Sequence, residues 1–290
     1  MGFAMLFTTA FASLQGSTGY EFYKDALKET IKAKSITGNF SVKVDDNGET
    51  LMKMDANVKY NHETGAMSSR TVFASGEEEM NIDVYRVDGE TIVKNSDSDI
   101  YYKSKDTHRE DYDYKRAHEE GTGEHAMGMG ELVIDALAGD MKDYVEYDEN
   151  SDGSKDVALE LSGSRIPAVA NALVSIAVSS AVKEGDRAYI SDRHHMTPFD
   201  VNLKPQMPEL VEDIRIEKAD AKARINSDNL IENQTIDIKI TGKDANGTKH
   251  EVVLGIYMTL SGFDATTPDT IDLAGKQVET FVPRDYEHRD

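Results

Sequence analysis

The sequence predicts an α+β fold: a strongly curved antiparallel sheet, or half-barrel, of about eleven strands, with about three helices packed on or in its concave face. Two observations lead to this prediction. Long stretches near both ends of the 290-residue chain alternate apolar and polar residues, as strands with one dry and one wet face do. Segments with helical spacing fall between groups of these strands. A sheet of so many strands favours curvature over a flat layer.

The first element is an amphipathic helix over residues 18–34. Its apolar residues Tyr23, Leu27 and Ile31 recur at four-residue spacing, which places them on one face. The period then becomes two from Ile36 onwards, which marks the first strand.

Two strands joined by Asn47-Gly48 form the first hairpin. Both residues of this pair accept the positive φ that a type I′ turn needs. The alternation predicts an inward face on each strand, including Phe40 and Val42 on the first and Met52 and Met54 on the second.

The rest of the first half continues this meander. Further strands are predicted near 66–75, 79–87, 91–95 and 100–104, and the charged stretch 105–125 has no period and predicts a solvated loop. A helix near 127–141 and a hairpin of Tyr144–Asp148 with Asp156–Leu161 follow.

Residues 166–182 predict an unusually apolar helix that opens with Pro167. Its polar residues Asn171, Ser175 and Ser179 recur every four positions and leave a single narrow polar stripe. The segment is shorter than the roughly 20 residues that span a bilayer. It must therefore be covered by protein or cover something apolar itself.

Three strands close the predicted sheet, and Ile236, Ile238 and Ile240 mark the second of them. The first covers 214–225, with a phase shift that predicts a bulge near Lys218. Asn246-Gly247 predicts another type I′ turn before the third strand, which contains Leu254, Ile256 and Met258; the tail after Thr267 is extended and charged.

Charge and cysteine content exclude several classes of function. The chain has 32 Lys and Arg against 54 Asp and Glu, a formal net charge of −22, which argues against nucleic acid as a partner and against strong binding to anionic membranes. It has no cysteine, so disulfides, thiolate metal sites and cysteine nucleophiles are absent.

Residues 1–17 are expected to form a signal peptide or N-terminal leader, and residues 18–290 a single domain. A short apolar run ends at Ala10-Phe11-Ala12, the small-x-small pattern that signal peptidase cleaves, although no basic residue precedes it. The leader is interpreted as a signal peptide, and an apolar N-terminus packed on its own domain is the alternative. The interpretation places the protein outside the cytoplasm, secreted or associated with the cell envelope.

The order of these elements resembles the bacterial lipoprotein-carrier superfamily of LolA/LppX-like half-barrels. The likeness rests on the order of the elements, which is helix, meander, helix, hairpin, apolar helix and three closing strands. It also rests on the opening Ile166-Pro167-Ala168-Val169 of the apolar helix. The start Tyr20-Glu21-Phe22-Tyr23 of the first helix is also similar to exported LolA-like proteins of single-membrane bacteria. The resemblance implies a non-enzymatic carrier of lipids, acyl chains or lipidated proteins, with an apolar cavity under a helical lid.

The ligand is therefore expected to be an apolar small molecule, a lipid or a lipidated protein, with envelope proteins as further possible partners and no cofactor. The alternative is a structural or regulatory envelope protein with a filled core. The residues predicted to line the cavity are Phe40, Val42, Met52, Met54, Val133, Leu137, Val169, Leu173, Ile176, Leu254, Ile256 and Met258.

The candidate metal and catalytic motifs are incomplete. Residues 148–156 begin like a calcium loop, but the twelfth position, where the bidentate acid belongs, is Leu159. His118 and His125 are seven residues apart, and His194-His195 are adjacent, so neither pair has the four-residue spacing of helical zinc ligands. The sequence contains no nucleophile elbow, phosphate loop or dinucleotide fingerprint, and we expect neither a metal site nor an enzyme.

Overall fold

The computed structural model describes residues 18–105, 144–168, 170–171 and 207–281. These residues contain one complete α-helix, α1 (Thr18–Ile31), a short 3-10 turn at Gly163–Arg165, and the first turn of a further helix after Pro167. They also contain twelve strands: β1 Ser35–Asp46, β2 Glu49–Asn61, β3 Met67–Ser75, β4 Glu78–Val87, β5 Glu90–Asn95, β6 Tyr101–Lys105, β7 Val145–Glu149, β8 Lys155–Ser162, β9 Glu212–Ile225, β10 Ile231–Lys243, β11 Lys249–Ser261 and β12 Val278–Thr280.

All twelve strands belong to one long, curved, open sheet in the order β12-β6-β5-β4-β3-β2-β1-β11-β10-β9-β8-β7. β1 pairs with β11, and this contact joins the strands of the two chain halves. Ten of the eleven strand pairs are antiparallel, and β12 adds to β6 in parallel. The predicted count of about eleven is therefore one short, because β12 is only three residues long and a strand that short shows no alternation.

The number of helices also differs from the prediction: the described residues contain α1 rather than about three α-helices. The predicted helix at 127–141 and residues 172–182 of the predicted apolar helix lie outside them, as does the predicted loop 106–125. At the start of the apolar helix, the N–H of Ala170 donates to the carbonyl of Pro167 at 3.0 Å. That contact is the first helical turn, and it begins at the predicted proline.

One predicted turn and the predicted bulge are confirmed, and another turn differs. Asn47 and Gly48 have φ of 49° and 86°, as a type I′ turn requires. In β9, Lys218 is opposite Lys239 while Ile216 is opposite Ile240, so one extra residue bulges between them.

The prediction for Asn246-Gly247 is wrong, because only Gly247 of the pair has a positive φ. The carboxylate of Asp244 accepts backbone N–H bonds from Asn246 at 2.9 Å and from Thr248 at 2.8 Å. These bonds stabilise a longer loop instead of a two-residue turn.

Helix α1 packs on the end of the sheet formed by β7, β8, β9 and β10. Its buried row is Tyr20, Tyr23 and Ala26, whereas Ile31, predicted to face inward, is 51% exposed. The close approach of α1 to β7 at Gly19 explains why this row of the helix faces the sheet. A Cβ added to Gly19 would lie 2.9 Å from the carbonyl oxygen of Val145, so only glycine fits against β7 here.

Candidate functional site

One side of the sheet, the apolar face, is defined as the side on which α1 lies. Phe40 of β1 is directly opposite Met258 of β11, and Val42 is opposite both Ile256 and Met54. Met258 also packs against the core beneath α1, so these residues lie on the helix side. Strand pairing therefore joins apolar side chains from distant parts of the chain into one surface.

The apolar face continues across most of the sheet. The register aligns apolar residues strand by strand towards both ends, and further members are Val44, Met52, Phe73, Met80, Ile82, Val84, Val93, Leu254, Ile236, Ile238, Ala221 and Leu159.

Seven of the twelve residues predicted to line a cavity lie on this face, and all seven are half-buried: Phe40, Val42, Met52, Met54, Leu254, Ile256 and Met258. The other five, Val133, Leu137, Val169, Leu173 and Ile176, fall outside the described residues. The structure brings the seven together, and their role as ligand contacts stays a prediction.

The protein's own side chains fill the interior beneath α1. Tyr20 and Ile225 are 0% exposed, and the cavity that remains there has a volume of about 20 Å³. A cavity of that size holds about one water, whereas ligand pockets usually measure about 300–1,000 Å³. The end of the face beneath α1 is therefore a closed core.

A second, smaller cover lies at another corner of the apolar face. Leu210 is 2% exposed and packs with Val44 and Val252. Gly242 permits this contact, since a Cβ added there would lie 3.1 Å from the side chain of Leu210. Between the two covers, Phe40, Val42 and the residues beside them are only half-buried.

One charged residue, Arg86, interrupts the apolar face, and sequence analysis missed it. Arg86 is opposite Met67 and Thr91, and within β1–β6 it is the only lysine or arginine at a position of this face. Its Nε is buried and has no hydrogen-bond acceptor among the residues that the structure describes. The alternation could have revealed it, because Arg86 continues the inward series of Ile82 and Val84.

In the turn that resembles a calcium loop, the carboxylates of Asp152 and Asp156 have partners within the protein. The carboxylate of Asp152 accepts bonds from the backbone N–H and the hydroxyl of Ser154, which lower the pKa of Asp152, and Arg224 pairs with Asp152 and Asp156. In the described ranges no cluster of three or more histidine or acidic residues could hold a metal ion. No helix among those same residues is long and apolar enough to cross a membrane.

The chain was compared with family models, curated proteins and solved structures. No family model and no curated protein matches the chain. A solved structure that it resembles is that of a DUF1329 family protein from Desulfovibrio piger, at 9% identity and a TM-score of 0.21, with 88% of this chain and 94% of the other covered.

Proposed function

We propose that this protein is a non-enzymatic binding protein that holds a lipid, an acyl chain or another apolar ligand against its apolar face. The observation that carries the proposal is the half-buried centre of that face, between the covers formed by α1 and Leu210. Phe40, Val42 and Ile256 lie there in register, on a sheet whose other side is mostly polar. Large contiguous apolar surfaces of this kind mark binding sites.

The side chains of this centre suit an apolar ligand of irregular shape. Met54 and Met258 flank Val42 and Phe40 across the strand pairs. Methionine is unbranched and polarizable, so it adapts to different partners. A bound acyl chain would remove these side chains from water, and each CH₂ of the chain would contribute about 0.8 kcal/mol.

Export to the bacterial cell envelope belongs to the same proposal. It is supported by the apolar N-terminal run that ends at Ala10-Phe11-Ala12. Cleavage after Ala12 in the secreted protein, read from its N-terminal sequence by mass spectrometry, would test it.

The binding proposal is tested with the purified full chain. Native mass spectrometry and organic extraction should reveal a co-purified lipid, and N-phenyl-1-naphthylamine should fluoresce on binding the delipidated protein. Ile256→Lys should weaken dye binding at least about tenfold, because it places a charge at the centre of the apolar face. Val253→Lys is the matched control: it lies on the same strand, on the other side of the sheet, opposite Lys239 and Asp45.

Met54→Gln, a milder change of similar volume, should also weaken dye binding while the chain stays folded by circular dichroism. If the wild-type protein contains no lipid and binds no dye, the apolar face is filled by the protein itself. That outcome would favour the alternative role as a structural or regulatory envelope protein.

A further inference from the structure

The other side of the sheet carries a second concavity, here called the polar groove, with a volume of about 440 Å³. It crosses β11, β1, β2 and β3, three strand spacings or about 14 Å. The lining residues on which the argument depends are Asn39, Asp55, Asn57, Arg70, Tyr257 and Thr259. Val72 lies on the same side, and Phe40, Ala56 and Met258 also border the groove from strand positions that belong to the apolar face.

Tyr257 forms a flat aromatic surface at one end of the polar groove. A Cβ added to Gly255 would lie 2.9–3.2 Å from three atoms of the tyrosine side chain, so the ring lies over the glycine backbone. The Tyr257 hydroxyl donates to Asp237 at 2.9 Å, and this bond raises the pKa of Tyr257. The ring is thus anchored at its tip and packed on one side, yet the residue remains 41% exposed.

A row of amide and hydroxyl groups forms the floor of the polar groove. Asn57, Asn39 and Thr259 are directly opposite one another on three neighbouring strands. Asn57 Nδ2 donates to Asn39 Oδ1 at 2.8 Å, and Asn39 Nδ2 donates to Thr259 Oγ1 at 3.3 Å. These bonds fix the orientation of the row, while each amide keeps further donor and acceptor capacity for a ligand.

The charged groups of the polar groove are already neutralised. Arg70 donates from Nε and from a terminal nitrogen to the two oxygens of Asp83, at 2.7 and 3.1 Å. Lys53 lies 2.6 Å from Asp55 and lowers its pKa. An ionic ligand would have to compete with these partners, whereas a neutral ligand could use the remaining hydrogen-bonding positions.

We propose that the polar groove binds a neutral oligosaccharide. A sugar ring has an apolar C–H face that stacks on an aromatic ring and a rim of hydroxyls that both donate and accept hydrogen bonds. Tyr257 offers the aromatic surface, and Asn57, Asn39 and Arg70 offer planar polar groups. The groove is on the opposite side of the sheet from the apolar face, so this proposal does not depend on lipid binding.

The test uses the full chain and three probes: cellotriose, maltotriose and triacetylchitotriose, each at millimolar concentration, with saturation-transfer NMR and calorimetry. At least one probe should bind through the C–H face of a sugar ring. Tyr257→Ser should weaken that binding at least about tenfold, and Tyr257→Phe should retain most of it. Tyr147→Ser is the matched control, since Tyr147 is also 41% exposed but lies on β7 against Phe22.

Asn57→Ala gives a second readout that leaves the aromatic ring in place, and it should weaken binding in the same direction. Three results would each overturn the proposal: none of the probes binds the wild-type protein, Tyr257→Ser binds like the wild type, or Tyr147→Ser loses as much affinity as Tyr257→Ser. Circular dichroism of each variant shows whether a loss reflects the groove or the fold.

Discussion

A single hydroxyl group ties the last turn of α1 to the start of β10. Thr30 is 8% exposed, and its hydroxyl donates to the carbonyl of Ala26 at 2.7 Å. The same oxygen accepts the backbone N–H of Ile231 at 2.9 Å. This contact holds the helix on its end of the apolar face, and Thr30→Val would remove it with almost no change in shape.

The expected cost follows from what each partner loses. Ile231 is 1% exposed, so its N–H would be left buried without an acceptor, which costs about 1–3 kcal/mol. The Ala26 carbonyl keeps its helical partner and loses little. Thr30→Ser keeps the hydroxyl and loses one methyl group, about 0.8 kcal/mol. The free energy of unfolding should therefore fall more for Thr30→Val than for Thr30→Ser.

Urea unfolding followed by far-ultraviolet circular dichroism measures both variants. The midpoint should shift to lower urea with an unchanged slope, because the unfolded surface stays the same. If Thr30→Ser is as destabilising as Thr30→Val, the methyl group and not the hydroxyl holds α1, and the reasoning fails.

Two further predictions concern charged and titrating groups. Arg86→Met should raise the free energy of unfolding by about 1–3 kcal/mol, because it removes a buried Nε that has no acceptor within the described ranges. The control Arg70→Met, which breaks an exposed ion pair with Asp83, should lower it by at most about 1 kcal/mol in the same urea assay, and a destabilised Arg86→Met would contradict the interpretation. Burial raises the pKa of Tyr23 above its ordinary value of about 10. The neutral Tyr23 side chain therefore contributes its full stabilisation below about pH 10, and this stabilisation is lost as the pH rises further. In urea unfolding measured at a series of alkaline pH values, the free energy of unfolding should fall less steeply with pH for Tyr23→Phe than for the wild type. An equal dependence on pH in the two proteins would refute this assignment.

The regular strands could be predicted from the sequence because alternation and turn residues are local. Met52 and Met54, assigned to a strand from alternation, lie inside β2, and the Asn47-Gly48 turn has the predicted geometry. Tyr23 and Leu27 of α1 face the core as predicted, but Ile31 does not, and the burial of Tyr20 could not be predicted because it depends on the close approach of Gly19 to Val145. Those two residues are far apart in the chain.

The two faces of the sheet also differ in what the sequence could predict: local alternation was sufficient for the apolar face but not for the polar groove. Alternation was enough to place Phe40 and Met54 on one side of the sheet. The polar groove was not predicted, because Asn39 meets Thr259 only through the pairing of β1 with β11. Arg86 was overlooked for another reason: an arginine in an alternating strand is normally assigned to the wet side, and here it lies on the dry one.

The parallel strand β12 has a consequence for self-association. It contributes only three residue pairs to β6, and all three of its residues are exposed. A strand this short gives an incoming chain too few backbone groups for stable hydrogen bonding. Among the described residues, the sheet therefore ends on this side in a short exposed strand, and we expect this edge to disfavour pairing with the sheet edge of another molecule.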